Sequence, residues 1–228
     1  MKKSPVFRQI WEWTIGLVIL PVCAAFTLAF YDQIGNISSP ATRYSWYFFL
    51  GIGGYLFIHI FFPKLNWLYV LGHESMHALA TWLTGGQVKG IKVSGKGGHV
   101  KADKSNLFIR LAPYLIPAYS LLVLVFFFIA SLFVEIGPWQ STFFFLIGLT
   151  FCFHLIMTLE ILKTEQTDLL ESGYLFSMEL IYLVNLTILV VFLQAVTPQL
   201  SLLEYLKMSA VKTAEIYFLG YEKMAGLF

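Results

Sequence analysis

One short stretch of the sequence combines residue types that could hold and use a metal ion. His73, Glu74 and His77 form the pattern H-E-x-x-H within an otherwise apolar segment. Residues four apart lie on the same face of a helix, so the imidazoles of His73 and His77 can reach one zinc ion at about 2.0–2.1 Å. Glu74 is offset from that face towards the position of a zinc-bound water molecule, where a carboxylate can act as a base. The spacing therefore predicts a zinc site with two histidine ligands and a glutamate base.

A catalytic zinc ion usually has three protein ligands and keeps its last position for water, so one ligand is missing from the motif. The aspartates of the chain are Asp32, Asp103 and Asp168. Asp168 is the best candidate because it lies in a polar segment, residues 163–173, between two apolar stretches. Three other side chains are alternatives for the third ligand: Glu165, Glu171 and His154. A solvated loop with ordinary charges is an equally good interpretation of the polar segment.

The composition indicates that most of the surface lies in lipid. Of the 228 residues, 58% are hydrophobic and 12% are charged, whereas an ordinary soluble domain has about 25% charged residues. The formal net charge is +2 and the basic residues are scattered along the chain. A nucleic-acid-binding protein concentrates its basic residues in a patch or stripe, so nucleic acid is not expected as a partner. Membrane lipid is therefore the expected partner of this surface. The sequence does not indicate an oligomeric state.

Six apolar stretches approach the roughly 20 residues that a helix needs to cross a bilayer core. They are residues 13–30, 46–62, 66–83, 107–134, 143–162 and 174–196. The third stretch carries the H-E-x-x-H motif, and ionisable groups within a membrane span are costly and persist mainly where they have a function. Lysines and arginines are divided almost evenly between the two sides, so the positive-inside rule gives no orientation. The predicted fold is an all-α polytopic membrane protein with about six transmembrane helices.

Two segments outside these spans have patterns of their own. Residues 87–102 alternate short β-branched residues around a glycine-rich turn at residues 95–98, which predicts a small β-hairpin after the third span. Its lysines exclude a position in lipid, so the hairpin must lie at an interface or line a wet cavity. After Pro198 the apolar residues follow a helical period, which predicts an amphipathic C-terminal helix on the membrane surface or packed on the bundle.

Residues 72–79 together with residues 84–88 resemble the site-2 protease family of intramembrane zinc metalloproteases, particularly its compact bacterial members. The resemblance covers about residues 68–180. It implies that His73 and His77 bind zinc and that Glu74 activates water. Asp168 matches, in order and approximate separation, the family's third ligand at the start of a later membrane helix. It is followed by Leu169, where the family usually has glycine.

The expected organisation is a single membrane-embedded domain over residues 1–228 that holds one zinc ion. Its metalloprotease core would cover about residues 66–197, with accessory spans in residues 1–65 and a tail in residues 198–228. The expected function is hydrolysis of a peptide bond in a membrane-spanning protein or peptide, in the cytoplasmic membrane of a bacterium. The alternative is a zinc-binding membrane protein that acts as a binding or regulatory module without proteolysis.

Overall fold

The computed structural model describes residues 5–37, 42–95 and 97–226 of the chain. Within these residues the fold is mostly helical, with nine α-helices and one two-stranded sheet. The elements in chain order are α1 (Pro5–Gly35), α2 (Arg43–Phe61), α3 (Asn66–Leu83), β1 (Val88–Ser94), β2 (Gly97–Ala102), α4 (Leu107–Leu115), α5 (Ala118–Ser131), α6 (Gln140–Ile161), α7 (Thr167–Ser172), α8 (Tyr174–Val196) and α9 (Leu202–Ala225).

Four segments of the described chain are long and apolar enough to cross a membrane: Trp13–Gly35, Arg43–Phe61, Gly137–Ile161 and Tyr174–Val196. The helices α4 and α5 together would make a fifth. This supports the predicted polytopic membrane protein, with four to five spans. The predicted count of six is not confirmed. Helix α3 covers the predicted residues, but it is not among the helices that are apolar enough to cross a membrane.

The predicted continuous span over residues 107–134 is instead two helices that meet at an angle of 77°. The break lies at Ile116 and Pro117. Proline lacks a backbone N–H and disfavours helical geometry in the residue before it, and Ile116 is accordingly extended, with φ −111° and ψ 115°. The bend separates α4, which packs against α3, from the longer apolar helix α5.

The chain divides into two compact units: a terminal unit, residues 1–40 and 169–228, and a central unit, residues 41–168. In the terminal unit α9 packs along α1, so the predicted amphipathic tail is a helix packed on the bundle. The rings of Phe26 and Tyr205 meet edge to face at 5.6 Å. An ion pair joins Lys212 Nζ to Asp32 Oδ2 at 2.7 Å.

In the central unit, α2 packs along α6. A Cβ atom added at Gly51 would lie 2.0 Å from the carbonyl oxygen of Phe145, and one added at Gly148 would lie 2.1 Å from that of Phe48. Glycine at both positions therefore lets the two backbones touch, as small residues do in membrane helix pairs. A cluster of buried side chains joins this pair to α3, and it includes Tyr55, Tyr69 and Phe153.

The predicted hairpin is confirmed as an antiparallel pair of strands. Ile91 lies opposite Val100, and Ser94 lies opposite Gly97 at the turn. Gly97 has φ +140°, a conformation that residues other than glycine rarely adopt. Lys96, which belongs to the predicted turn, lies outside the described residues. Asp103 Oδ1 accepts a hydrogen bond from the backbone N–H of Gln87 at 2.7 Å, which closes the base of the hairpin against the end of α3.

Candidate metal centre

Helix α3 presents both histidines of the motif on one face, as their spacing predicts. The ring centroids of His73 and His77 are 4.9 Å apart. Two polar contacts hold the ring nitrogens that face away from the centre. His77 Nδ1 lies 2.8 Å from the carbonyl oxygen of Ile109 in α4, and His73 Nδ1 lies 3.3 Å from the hydroxyl of Tyr69.

These contacts assign the tautomer of His77 from the hydrogen-bond network. A carbonyl oxygen only accepts, so Nδ1 of His77 carries the proton and its Nε2 is left as a lone-pair donor. A metal ion on Nε2 of His73 would likewise make its Nδ1 the donor to Tyr69. Metal-binding histidines usually have their second ring nitrogen fixed in this way. Both imidazoles are therefore oriented as zinc ligands should be.

Asp168, in the first turn of α7, completes the group. Its Oδ2 lies 3.4 Å from His77 Nε2, close to the spacing of roughly 3.3 Å between ligand atoms that tetrahedral zinc bonds of about 2.0–2.1 Å require. One ligand atom from each of His73, His77 and Asp168 lies within 4.8 Å of the other two. Among the described residues this is the one such cluster of three histidine, cysteine or acidic side chains.

The other candidates for the third ligand do not join this group. Neither Glu165, Glu171 nor His154 belongs to the cluster. Asp103 binds the base of the hairpin and Asp32 pairs with Lys212. The structure thus brings together the three residues expected as ligands, although leucine follows Asp168. That they bind a metal ion stays a prediction.

His154 lies next to the centre without belonging to it. It is a buried side chain of α6, and together with His73, Tyr69 and Tyr119 it lines a cavity of about 10 Å³. This is close to the smallest space that holds a water molecule. The cavity makes His154 a neighbour of His73.

Tyr114 is a residue of the site that the sequence did not single out. It is fully buried in α4, and its ring meets that of His73 edge to face at 5.0 Å. Its hydroxyl donates to Gln166 Oε1 at 3.4 Å, and Gln166 Nε2 donates to Thr164 Oγ1 at 2.7 Å. Tyr114 therefore links α4 to the segment that carries Asp168. A polar aromatic residue in an apolar stretch was the only signal in the sequence.

Glu74 lies beneath strand β2. Its side chain is 5% exposed. A Cβ atom added at Gly98 would lie 2.7 Å from Glu74 Cγ and 2.9 Å from Glu74 Oε1. Only glycine leaves room for the carboxylate at this point, so the hairpin contributes directly to the surroundings of the predicted base.

A cavity of about 690 Å³ opens beside the cluster. Its walls are formed by the motif face of α3, by β2, by the segment before α4 and the first turns of α4, and by residues from the end of α6 to the start of α7. It contains polar groups as well as the apolar side chains of Val100 and Ile109. The space is large enough for several water molecules and a short length of extended chain, which agrees with the expectation that the hairpin lines a wet cavity.

No protein-family model, curated protein or solved structure matches the chain. The function of this chain is therefore inferred from the residues of the motif and from the geometry around them. Together these provide two oriented imidazoles, a carboxylate at ligand distance, a second carboxylate beside them and an open cavity.

Proposed function

We propose that this chain is an intramembrane zinc metalloprotease that hydrolyses a peptide bond of a membrane-spanning substrate. The observation that carries the proposal is the convergence of His73, His77 and Asp168 within 4.8 Å, beside Glu74 and a cavity of about 690 Å³. Two imidazoles and a carboxylate are a common donor set for catalytic zinc, and they leave a position for water. Because the motif resembles that of the compact bacterial site-2 proteases, we also propose that the protein lies in the cytoplasmic membrane of a bacterium.

The residues present make the contacts that are expected of zinc ligands. The hydrogen bond to Ile109 fixes the His77 ring with Nε2 towards Asp168, and the contact with Tyr69 orients the His73 ring. Zinc, when bound, supplies a Lewis acid that activates water and polarises a carbonyl group at neutral pH. We assign the metal to these three side chains.

Glu74 performs the proton transfers in this proposal. Its carboxylate takes a proton from the attacking water, whose oxygen forms the new bond to the carbonyl carbon. The C–N bond then breaks, and Glu74 passes the proton to the leaving amine nitrogen. Gly98 in β2 confines the carboxylate to the cavity wall, so its position is set by the hairpin as well as by α3.

The substrate must be extended where it is cleaved, because the backbone of a helix is closed to attack. Strand β2 lines the cavity next to Glu74, and within the described residues it pairs with β1 on one side only. An extended substrate segment can pair with such a strand edge. In this proposal α3 lies at membrane depth, where the cavity supplies the water that its polar groups and the reaction require.

The competing function is a zinc-binding membrane protein without proteolytic activity. Metal binding needs only the three ligands, whereas hydrolysis also needs a base beside them. Glu74 supplies that base at the cavity wall, and the missing side chain of Gly98 leaves room for it there. This favours the enzyme over the binding protein.

The deciding experiment is purification in detergent, metal analysis, and incubation with a panel of single-span peptides followed by mass spectrometry of the products. We expect about one zinc ion per chain and cleavage within the apolar segment of at least one peptide. Zinc at that ratio with every peptide intact would instead support the binding protein. A folded protein that holds no zinc would overturn both functions.

A further inference from the structure

The charged side chains that line the cavity fall into two groups. Glu74 and Asp168 lie at the candidate metal centre, while Lys104 lies between β2 and α4 and Arg110 lies in the first turns of α4. A zinc ion held by Asp168 would balance both carboxylates in charge. The cavity would then present two positive charges to whatever enters it.

Both cations are tied to elements that build the centre. Lys104 Nζ donates to the carbonyl oxygen of Gly85 at 2.9 Å, just beyond the end of α3. Arg110 directly follows Ile109, whose carbonyl oxygen holds His77, and its guanidinium lies 3.4 Å from Ser105 Oγ. These contacts place the two charges at a fixed position relative to the metal ligands.

Strand β2 gives a scale for the distance from Glu74 to the segment that carries Lys104. Gly98 lies against Glu74, and β2 ends at Ala102, two residues before Lys104. Strand residues advance by about 3.3 Å each, so the four steps from Gly98 to Ala102 cover roughly 13 Å. An extended substrate placed along the strand covers the same distance in about four residues.

We infer that the cavity selects substrates with an acidic side chain about four residues from the cleaved bond, recognised by Lys104 and Arg110; this rests on the proposed function. The guanidinium offers a carboxylate two parallel hydrogen bonds, and the ammonium adds a compact charge. Charge-assisted hydrogen bonds of this kind give a preference of roughly tenfold or more over a neutral side chain.

The test uses three peptides that cleave at one mapped bond and differ only at the fourth residue from it, which is Glu, Gln or Lys. Wild-type protein should cleave the Glu peptide with a kcat/KM about tenfold or more above that of the Lys peptide. The double variant Lys104→Glu/Arg110→Glu should invert this order. The changed residue is placed four positions before the cleaved bond in one set of peptides and four positions after it in a second set. The set that shows the preference identifies the side of the bond on which the acidic residue is recognised.

The matched control is Lys92→Glu/Lys101→Glu. It makes the same change in charge on the neighbouring hairpin, at two lysines that do not line the cavity. It should keep the wild-type order of the peptides. Equal kcat/KM values for the three peptides in wild-type protein would overturn the inference, as would inversion by the control pair, which would indicate a general effect of surface charge.

A binding measurement separates this inference from the proposed function. Zinc-loaded Glu74→Gln protein is titrated with the same fluorescent peptides, so that affinity is measured without cleavage. The selectivity would be supported, even if no peptide were cleaved, by two results together. The Glu peptide should bind more tightly than the Lys peptide, and adding Lys104→Glu/Arg110→Glu should reverse that order of affinity. Cleavage without any charge preference, in contrast, would leave the protease standing and overturn the selectivity.

Discussion

The two units of the chain each bury a glutamate, and the two glutamates differ in what surrounds them. Glu74 in the central unit is 5% exposed and Glu179 in the terminal unit is 4% exposed. Glu74 lies beside His73, His77 and the backbone of β2. Within the described part of the chain, neither carboxylate oxygen of Glu179 has a hydrogen-bond partner. Burial of an acidic group is therefore common to both units, whereas convergence of several chemical groups occurs around Glu74.

The difference comes from the variety of elements that meet in the central unit. The candidate centre draws on α3, on β2, on α4 through Ile109 and Tyr114, and on the start of α7 through Asp168. The terminal unit is built mainly from long helices that meet through apolar and aromatic contacts, an ion pair and scattered hydrogen bonds, such as that between Thr27 and Tyr182. Breaks in helical structure, a hairpin and a bent pair of helices bring polar groups together where regular helices do not.

The largest effect is expected from Glu74→Gln. Glutamine keeps the shape of the side chain beneath Gly98 but accepts no proton from water. The variant should hold as much zinc as wild-type protein and lose proteolysis by about 10²–10⁴-fold, the usual contribution of a general base. Peptide cleavage and zinc content are measured on the same preparation. Cleavage at the wild-type rate would remove Glu74 from the mechanism and make the two buried glutamates equivalent.

Asp168→Ala should remove the metal binding that is proposed for the central unit. It removes the carboxylate that lies 3.4 Å from His77 Nε2, so zinc occupancy should fall sharply and activity with it. Glu165→Ala and Glu171→Ala are the matched controls, because neither side chain belongs to the cluster. Zinc titration with a competing chelator measures the loss of affinity. Retention of zinc by Asp168→Ala with loss in Glu171→Ala would show that the ligand is misassigned.

The elements with strong local signals were predicted well. The motif helix occupies the predicted residues as Asn66–Leu83, and the hairpin and the helix Tyr174–Val196 also lie where the periodicity placed them. Apolar period, glycine turns and β-branched alternation are properties of neighbouring residues, so they can be read from the chain directly. The same holds for His73 and His77, whose spacing of four fixes a common face.

Apart from one helix break, the features that were missed depend on contacts between distant segments. The break at Pro117 had a local signal, but the apolar content of residues 107–134 outweighed it. The contact between Gly98 and Glu74 and the link from Tyr114 to Gln166 join residues far apart in sequence, and periodicity carries no information about them. Asp168 could be proposed from its polar surroundings and the resemblance, whereas its distance from His77 required the fold.

Gly98→Ala should lower the activity less, because it should disturb only the position of the catalytic carboxylate of Glu74. The added Cβ would lie 2.6 Å from the carbonyl oxygen of Lys92 and 2.7 Å from Glu74 Cγ, so the strand or the carboxylate must move. A displacement of about 1 Å in a catalytic group can lower the rate by up to 10²-fold. We expect kcat to fall about tenfold or more while zinc content is unchanged.

Gly90→Ala is the control for this variant, since a Cβ at Gly90 on the neighbouring strand would have no atom within 4 Å. It should cleave peptides at the wild-type rate. Equal kcat values for Gly98→Ala, Gly90→Ala and wild-type protein would mean that the hairpin does not position Glu74.

The smallest effect on activity is expected from Glu179→Leu. The side chain is 4% exposed and its oxygens have no hydrogen-bond partner among the described residues, so folding takes a polar group out of water without a compensating bond. Leucine has a similar size and removes that penalty, which is about 1–3 kcal/mol for an unsatisfied buried group. The variant should therefore be at least as stable as wild-type protein to thermal unfolding in detergent, with unchanged zinc content and kcat/KM. If it lost activity while it kept its zinc and its Tm, Glu179 would have a functional role, and the contrast between the two buried glutamates would not hold.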